Sequence, residues 1–227
     1  MTEEVKDMLN ASERIMLLTI NTDKNKIGYD AYNVIRYGIK GIALLQLVAF
    51  KRVKLERKRI TVVDDCSTGD RILDMVMEKI KSSRHPVRIS SWFSGYSIFG
   101  SSLKSGVLDG LEDNGVIRQE EQRFLGLFPL KRYIVTGVNH RQELASGMKR
   151  LLLGDKNEIG YEEACIISIL AVCGYLKAVL SKAEIRGIKD KIKLIKKGMY
   201  YRVEGQTLQE VLKGIRNAIS AAAAASV

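Results

Sequence analysis

Proline and aromatic residues are scarce in this chain, with two prolines and a single tryptophan, Trp92, in 227 residues. So few prolines, set beside 19 glycines, suit helices joined by glycine-containing turns. So few aromatics argue against a broad platform for stacking bases. Histidine is confined to His85 and His140, and the three cysteines, Cys66, Cys165 and Cys173, form no CxxC. That excludes the usual zinc spacings, and an odd number of cysteines cannot all pair. Cys165 and Cys173 stand in an apolar segment, where cysteine acts as a small core hydrophobe. The longest apolar run, residues 164–176, is too short for the roughly 20 residues a membrane-spanning helix needs. The start, MTEEVKDMLNASER, is charged and lacks the apolar region of a secretion signal. The expectation is a single globular domain over residues 1–227 in a reducing, cytoplasmic compartment.

What the chain has in excess is positive charge. Lysine and arginine number 37 against 26 acids, a formal net charge of +11. Such an imbalance attracts polyanions: nucleic acid, anionic lipid headgroups or acidic partners. Catalytic signatures are weak by comparison. Ser101-Ser102-Leu103-Lys104 has the S-x-x-K spacing without its companion motifs. Gly100 and Gly106 lack the Lys-Ser/Thr end of a P-loop. Asp64-Asp65 reads as a solvated strand end, and His140 as structural or exposed rather than a base. The reading is non-enzymatic, with no catalytic residue, cofactor or metal assigned.

Periodicity predicts a mainly α fold: one helical domain with small β-hairpins. Helices are expected over residues 11–20, 32–50, 70–81, 87–96, 99–113, 139–153, 162–180, 182–197 and 207–225. Thr68 or Ser67 is the expected cap of the third, and residues 221–227 an alanine-rich disordered tail. Residues 52–56 and 59–63 alternate with period two and read as a ribbon. Residues 116–118 and 122–128 read as a second ribbon around Gln119-Glu120-Glu121. Residues 127–133 would leave it as an apolar loop. In that loop Leu127, Phe128 and Leu130 either insert into a membrane interface or mediate self-association as a homo-oligomer.

Three cationic clusters stand out. Lys51, Arg52, Lys54, Arg57, Lys58 and Arg59 crowd the first ribbon around Glu56. Tyr32, Arg36 and Lys40 recur every four residues and so share a helix face. Residues 189–197, KDKIKLIKK, interleave cations with Ile192, Leu194 and Ile195, as suits a core-packed helix with a cationic exterior or one lying on a membrane.

Taken in order, these segments resemble the Golgi phosphoprotein 3 family over about residues 12–180. The resemblance is carried by ERIMLLTI, by the G-x-[RK]-G turn seen as Gly38-Ile39-Lys40-Gly41, and by ALLQLVAFKRVKLE. It continues through STGDRILDMVMEKIK, PVRISSWFS and GLEDNGVIRQEEQRFLGLF. It implies a helical, peripheral membrane protein that reads phosphatidylinositol 4-phosphate at the Golgi in eukaryotes and adapts cytoplasmic tails of membrane proteins to a coat. The family's headgroup pocket uses a tryptophan, the arginine of G-x-R-G and two basic residues three apart. In this sequence the arginine position holds Lys40, the basic pair falls on Ser101 and Lys104, and the tryptophan position holds Ala31 with Tyr32 beside it. The resemblance therefore implies a lipid-headgroup site of Lys40 and Lys104, helped by Arg36 and Tyr32, with anionic membrane lipid as the partner. The alternative is a nucleic-acid-binding protein using the basic ribbon and the helix after it, whose Arg71, Lys79 and Lys81 are interspersed with Asp70, Asp74 and Glu78.

Overall fold

The computed structural model describes residues 8–94, 98–124, 128–136, 140–154, 159–199 and 205–225. It is mainly helical with three small antiparallel sheets, as the periodicity predicts. Helix α1 spans Ala11–Thr19 and is buried along its whole length. Its start carries a capping box: the Asn10 side chain accepts from the Glu13 N–H at 2.9 Å, and Glu13 accepts from the Asn10 N–H at 3.0 Å. Helix α2, Ile39–Ala49, lies at the centre, buried from Ile39 to Val48. A helix apolar all round belongs inside a domain, and α2 is packed by α1, α3 (Arg71–Lys81), α7 (Tyr161–Val172) and α10 (Gly205–Ala224).

Between these lie α4 (Ile89–Phe93) and α5 (Ile98–Asp113), then α6 (His140–Leu153), α8 (Lys182–Gly187) and α9 (Lys189–Lys196). Strands β1 (Ile20–Asn21) and β2 (Lys26–Ile27) make a short hairpin where the sequence predicts only a polar turn. Strands β3 (Val53–Glu56), β4 (Arg59–Val62) and β5 (Val87–Arg88) make the second sheet, and β6 (Ile117–Phe124) and β7 (Phe128–Val135) the third.

Several expectations are corrected. The single helix expected over residues 32–50 is a 3-10 turn, Tyr29–Ala31, a π-helical turn, Val34–Gly38, and then α2. The wide turn sits where Gly38 meets α7: a β-carbon there would stand 3.0 Å from Ile169 and 3.6 Å from the Cys173 sulfur. The cap of α3 is Asp70, whose carboxylate accepts from the N–H groups of Ile72 and Leu73 at 2.7 and 3.0 Å. Ser67 and Thr68 instead donate to Asp74, one turn into the helix, at 2.5 and 2.7 Å. Residues 87 and 88, expected to be helical, pair with Ile60 and Arg59, leaving a shorter helix.

In the third sheet the Gln-Glu-Glu segment lies within β6 rather than in the turn. Glu120 and Glu121 face Arg132 and Lys131 across the ladder, and such opposite charges support the pairing. The expected apolar loop is thus largely a strand: Phe128 begins β7 and Leu130 sits opposite Gln122, exposed, while Leu127 lies outside the described residues. The helix expected to reach residue 180 stops at Val172, because Gly174 turns left-handed at φ +71°. The helix expected over residues 182–197 breaks at Ile188 into α8 and α9. The alanine tract expected to be disordered continues α10 to Ala224.

Candidate anion-binding site

The segment linking β2 to α2 builds a cavity of about 300 Å³ on the surface. From the 3-10 turn come Tyr29 and Tyr32, 93% and 51% exposed, so their rings are offered to whatever occupies it. The π turn supplies Ile35 and Arg36, α2 supplies Lys40, and the first turns of α5 supply Gly100, Ser101 and Lys104. Residues spaced four apart on this irregular helical path still reach one place: Tyr32, Arg36 and Lys40 line this cavity together with Lys104. The cavity has no carboxylate in its lining. The nearby Asp30 is engaged at 2.9 Å by Lys177.

The glycines of the G-x-K-G turn set this geometry from behind. A β-carbon on Gly41 would stand 2.8 Å from Ile215 of α10 and 2.9 Å from Ile169 of α7. Their absence lets α2 sink between those helices and brings Lys40 with it, to 4% exposure. Burial, followed by the charge of Arg36, lowers the Lys40 pKa below its ordinary value. A cation so placed gains from an anion more than a solvated lysine does.

Arg36 is held by the aromatics around it. Its guanidinium donates to the Tyr32 hydroxyl and lies 5.5 Å from the Tyr32 ring centre and 5.3 Å from that of Tyr37. The beginning of α5 adds the positive end of a 16-residue helix dipole to the same cavity. Cations, a helix start and exposed tyrosines together suit an anion carried on a ring or short chain.

Tyr29 is the residue that sequence reasoning missed. Ala31, at the position the resemblance gives to tryptophan, is fully buried and faces inward. An aromatic three positions before Tyr32 would share its side of a 3-10 turn, and that spacing was the available signal.

The basic ribbon does not join this cavity. Arg52 is tied to Asp64 at the ribbon's base, and Lys54 pairs with Glu56 at 3.2 Å. Lys51 takes a left-handed φ of +57° where α2 gives way to β3. Arg57, Lys58 and Arg59 reach a second, larger cavity on the other side of Arg36. Helix α3 presents little free positive charge: Lys81 pairs with Asp65 at 2.8 Å and Glu78 at 3.4 Å, and Arg71 lies 3.8 Å from Asp109. Among the described residues no helix is long and apolar enough to cross a membrane, and no cluster of side chains could hold a metal ion.

A mainly helical protein with a cationic cavity beside its central helix is the class this architecture defines. The family model for Golgi phosphoprotein 3 (GPP34) matches residues 11–219, all but the two ends of the chain. The chain belongs to the Golgi phosphoprotein 3 family. The match runs well past residue 180 and takes in most of α10, so the C-terminal helices are part of the family fold. Membership is consistent with a non-enzymatic Golgi phosphoprotein.

Proposed function

We propose that this protein is a non-enzymatic peripheral membrane protein that binds a phosphorylated lipid headgroup, phosphatidylinositol 4-phosphate or one of similar size and charge. The observation that carries the reading is the convergence of Lys40, Lys104 and Arg36 on one acid-free cavity beneath Tyr29 and Tyr32. A phosphate monoester would meet Lys40 and Lys104 while its ring lay against the tyrosines. Lysine binds phosphate as a point charge without arginine's bidentate fork, so selectivity among inositides rests on cavity shape more than on a fixed hydrogen-bond pattern. Cations near an anionic surface add roughly 1 kcal/mol each. The exposed Leu130 of β7 is the described apolar residue of the hairpin that could meet the interface. Capture of cytoplasmic tails of membrane proteins belongs to the same reading, as the task of a protein held at the membrane.

Vesicle co-sedimentation tests this. Neutral vesicles, vesicles with generic anionic lipid and vesicles with phosphatidylinositol 4-phosphate are compared for wild type and for Lys40→Met with Lys104→Glu. Selective binding to the inositide, lost in the double variant, is the expected result. Binding to every anionic vesicle regardless of the variant would leave only a basic surface. Binding to RNA or DNA but to no vesicle would replace this reading with the nucleic-acid alternative.

A further inference from the structure

A cavity of about 850 Å³ lies between the tip of the β3–β4 hairpin, the start of α4 and the last turns of α10. Cations from four elements border it: Arg57, Lys58 and Arg59 from the hairpin, Arg88 from β5, Lys213 from α10, and Arg36 from behind. The lining includes one carboxylate, Glu210. Arg57, Lys58, Arg88 and Lys213 make no ion pair with any described residue. Arg59 and Arg88 are direct cross-strand partners, an arrangement of like charges that costs stability unless an anion sits between or beside them.

The hairpin tip repeats the message. Arg57 and Lys58 both have positive φ, +49° and +62°, in a two-residue turn that normally takes Asn-Gly. Non-glycine residues are held there at a cost in backbone energy, and the position aims two long cations at the cavity mouth. Stability alone gives no reason for either choice.

The floor is apolar. Ile89 and Phe93 of α4 are buried against Gly214, and Ala218, Ala221 and Ala222 continue the same face of α10 at helical spacing. Leucine or isoleucine at those positions would fill the space; alanine leaves it open. The low-complexity tract of the sequence is thus one wall of the cavity.

A cationic rim over an apolar trough fits a ligand with both parts. We propose that this cavity is a second binding site, separate from the Lys40–Lys104 pocket, for an anionic amphiphile: a phosphate or pyrophosphate group on an apolar chain. The phosphate would sit among Arg57, Arg88 and Lys213, and the chain would run along Phe93, Ala218 and Ala222. Arg36 borders both cavities, so an occupant of one alters the field in the other.

Calorimetric titration of the full chain tests the site with soluble probes: monomeric dihexanoyl phosphatidic acid, inorganic pyrophosphate and dihexanoyl phosphatidylcholine. Phosphatidic acid should bind at least about tenfold more tightly than either of the others, a difference of one decade in Kd. Arg88→Glu with Lys213→Glu should abolish that binding. Ala218→Phe, which fills the trough and leaves the rim, should weaken phosphatidic acid by about tenfold and pyrophosphate little. Lys40→Met with Lys104→Glu should leave it intact, which separates this site from the headgroup pocket. Equal affinity for pyrophosphate, binding indifferent to the charge reversals, loss of binding in the Lys40 and Lys104 variant, or no saturable binding would each overturn the proposal.

Discussion

A β-carbon placed on Gly214 of α10 would stand 2.9 Å from Cδ2 and 3.1 Å from Cε2 of the fully buried Phe93 ring. The C-terminal helix therefore lies against α4 at a separation that only glycine permits. Gly214→Ala would gain about 1 kcal/mol of helix propensity and lose about 1–3 kcal/mol to overpacking against a ring with nowhere to go. Net destabilisation of up to about 2 kcal/mol is expected in urea unfolding. Gly187, whose β-carbon would meet open space, is the control; alanine there should be neutral or stabilising.

Glu13 gives the fold a pH dependence of unusual sign. Burial pushes its carboxyl up to about 7 against the 4.5 of a free side chain, opposed by the Asn10 N–H it accepts and helped by the charges of Asp70 and Asp113. A carboxyl whose folded pKa exceeds its unfolded one binds more protons when folded, so stability falls as pH rises between those two values. From pH 5 to pH 8 the loss should be roughly 1–3 kcal/mol from this group. Glu13→Gln keeps the capping geometry and should flatten that part of the stability profile. Unfolding midpoints of the two proteins at pH 5, 6, 7 and 8 decide it, and parallel profiles would refute the assignment.

Lys40 should be better for binding than for folding. It is nearly buried within α2, its pKa lowered by burial and then by Arg36, and it pairs with no carboxylate among the described residues. Lys40→Met keeps the volume and removes the desolvated charge, so thermal stability should hold or rise while inositide binding is lost. A drop of several degrees in Tm would mean instead that the ammonium supports the fold. The pH sign follows: its folded pKa lies below the ordinary lysine value, so its unfavourable contribution is present at neutral pH and fades as pH rises toward the unfolded value.

Local pattern carried most of the fold and part of the site. The α3 stripe of Ile72, Leu73, Val76 and Ile80, and the alternation of the β3–β4 ribbon, depend on near neighbours, and both elements stand close to where periodicity puts them. The π turn at Val34–Gly38 could not be read that way, because it answers to Ile169 and Cys173, more than a hundred residues further on. The alanine tract misled for the complementary reason: its small side chains look featureless until α4 and the hairpin stand opposite them. Of the cationic clusters, Tyr32, Arg36, Lys40 and Lys104 converge. The ribbon cluster divides, because successive strand residues point to opposite faces and the turn at Arg57-Lys58 sends its tip elsewhere.

That turn yields the sharpest opposition between stability and binding. Arg57 and Lys58 occupy the two left-handed positions of the β3–β4 hairpin, and the residues flanking them, Glu56 and Arg59, pair with each other to close the ladder. Asn-Gly is the pair such a turn prefers, since neither residue then meets the steric penalty of a side chain at positive φ. Arg57→Asn with Lys58→Gly should raise unfolding stability by about 1–2 kcal/mol. The same exchange removes two of the cations around the larger cavity, so affinity for dihexanoyl phosphatidic acid should fall by about tenfold or more. Urea unfolding and calorimetric titration on one preparation read both effects. A variant that is more stable and binds as well as wild type would mean that the tip cations serve neither the fold nor the cavity.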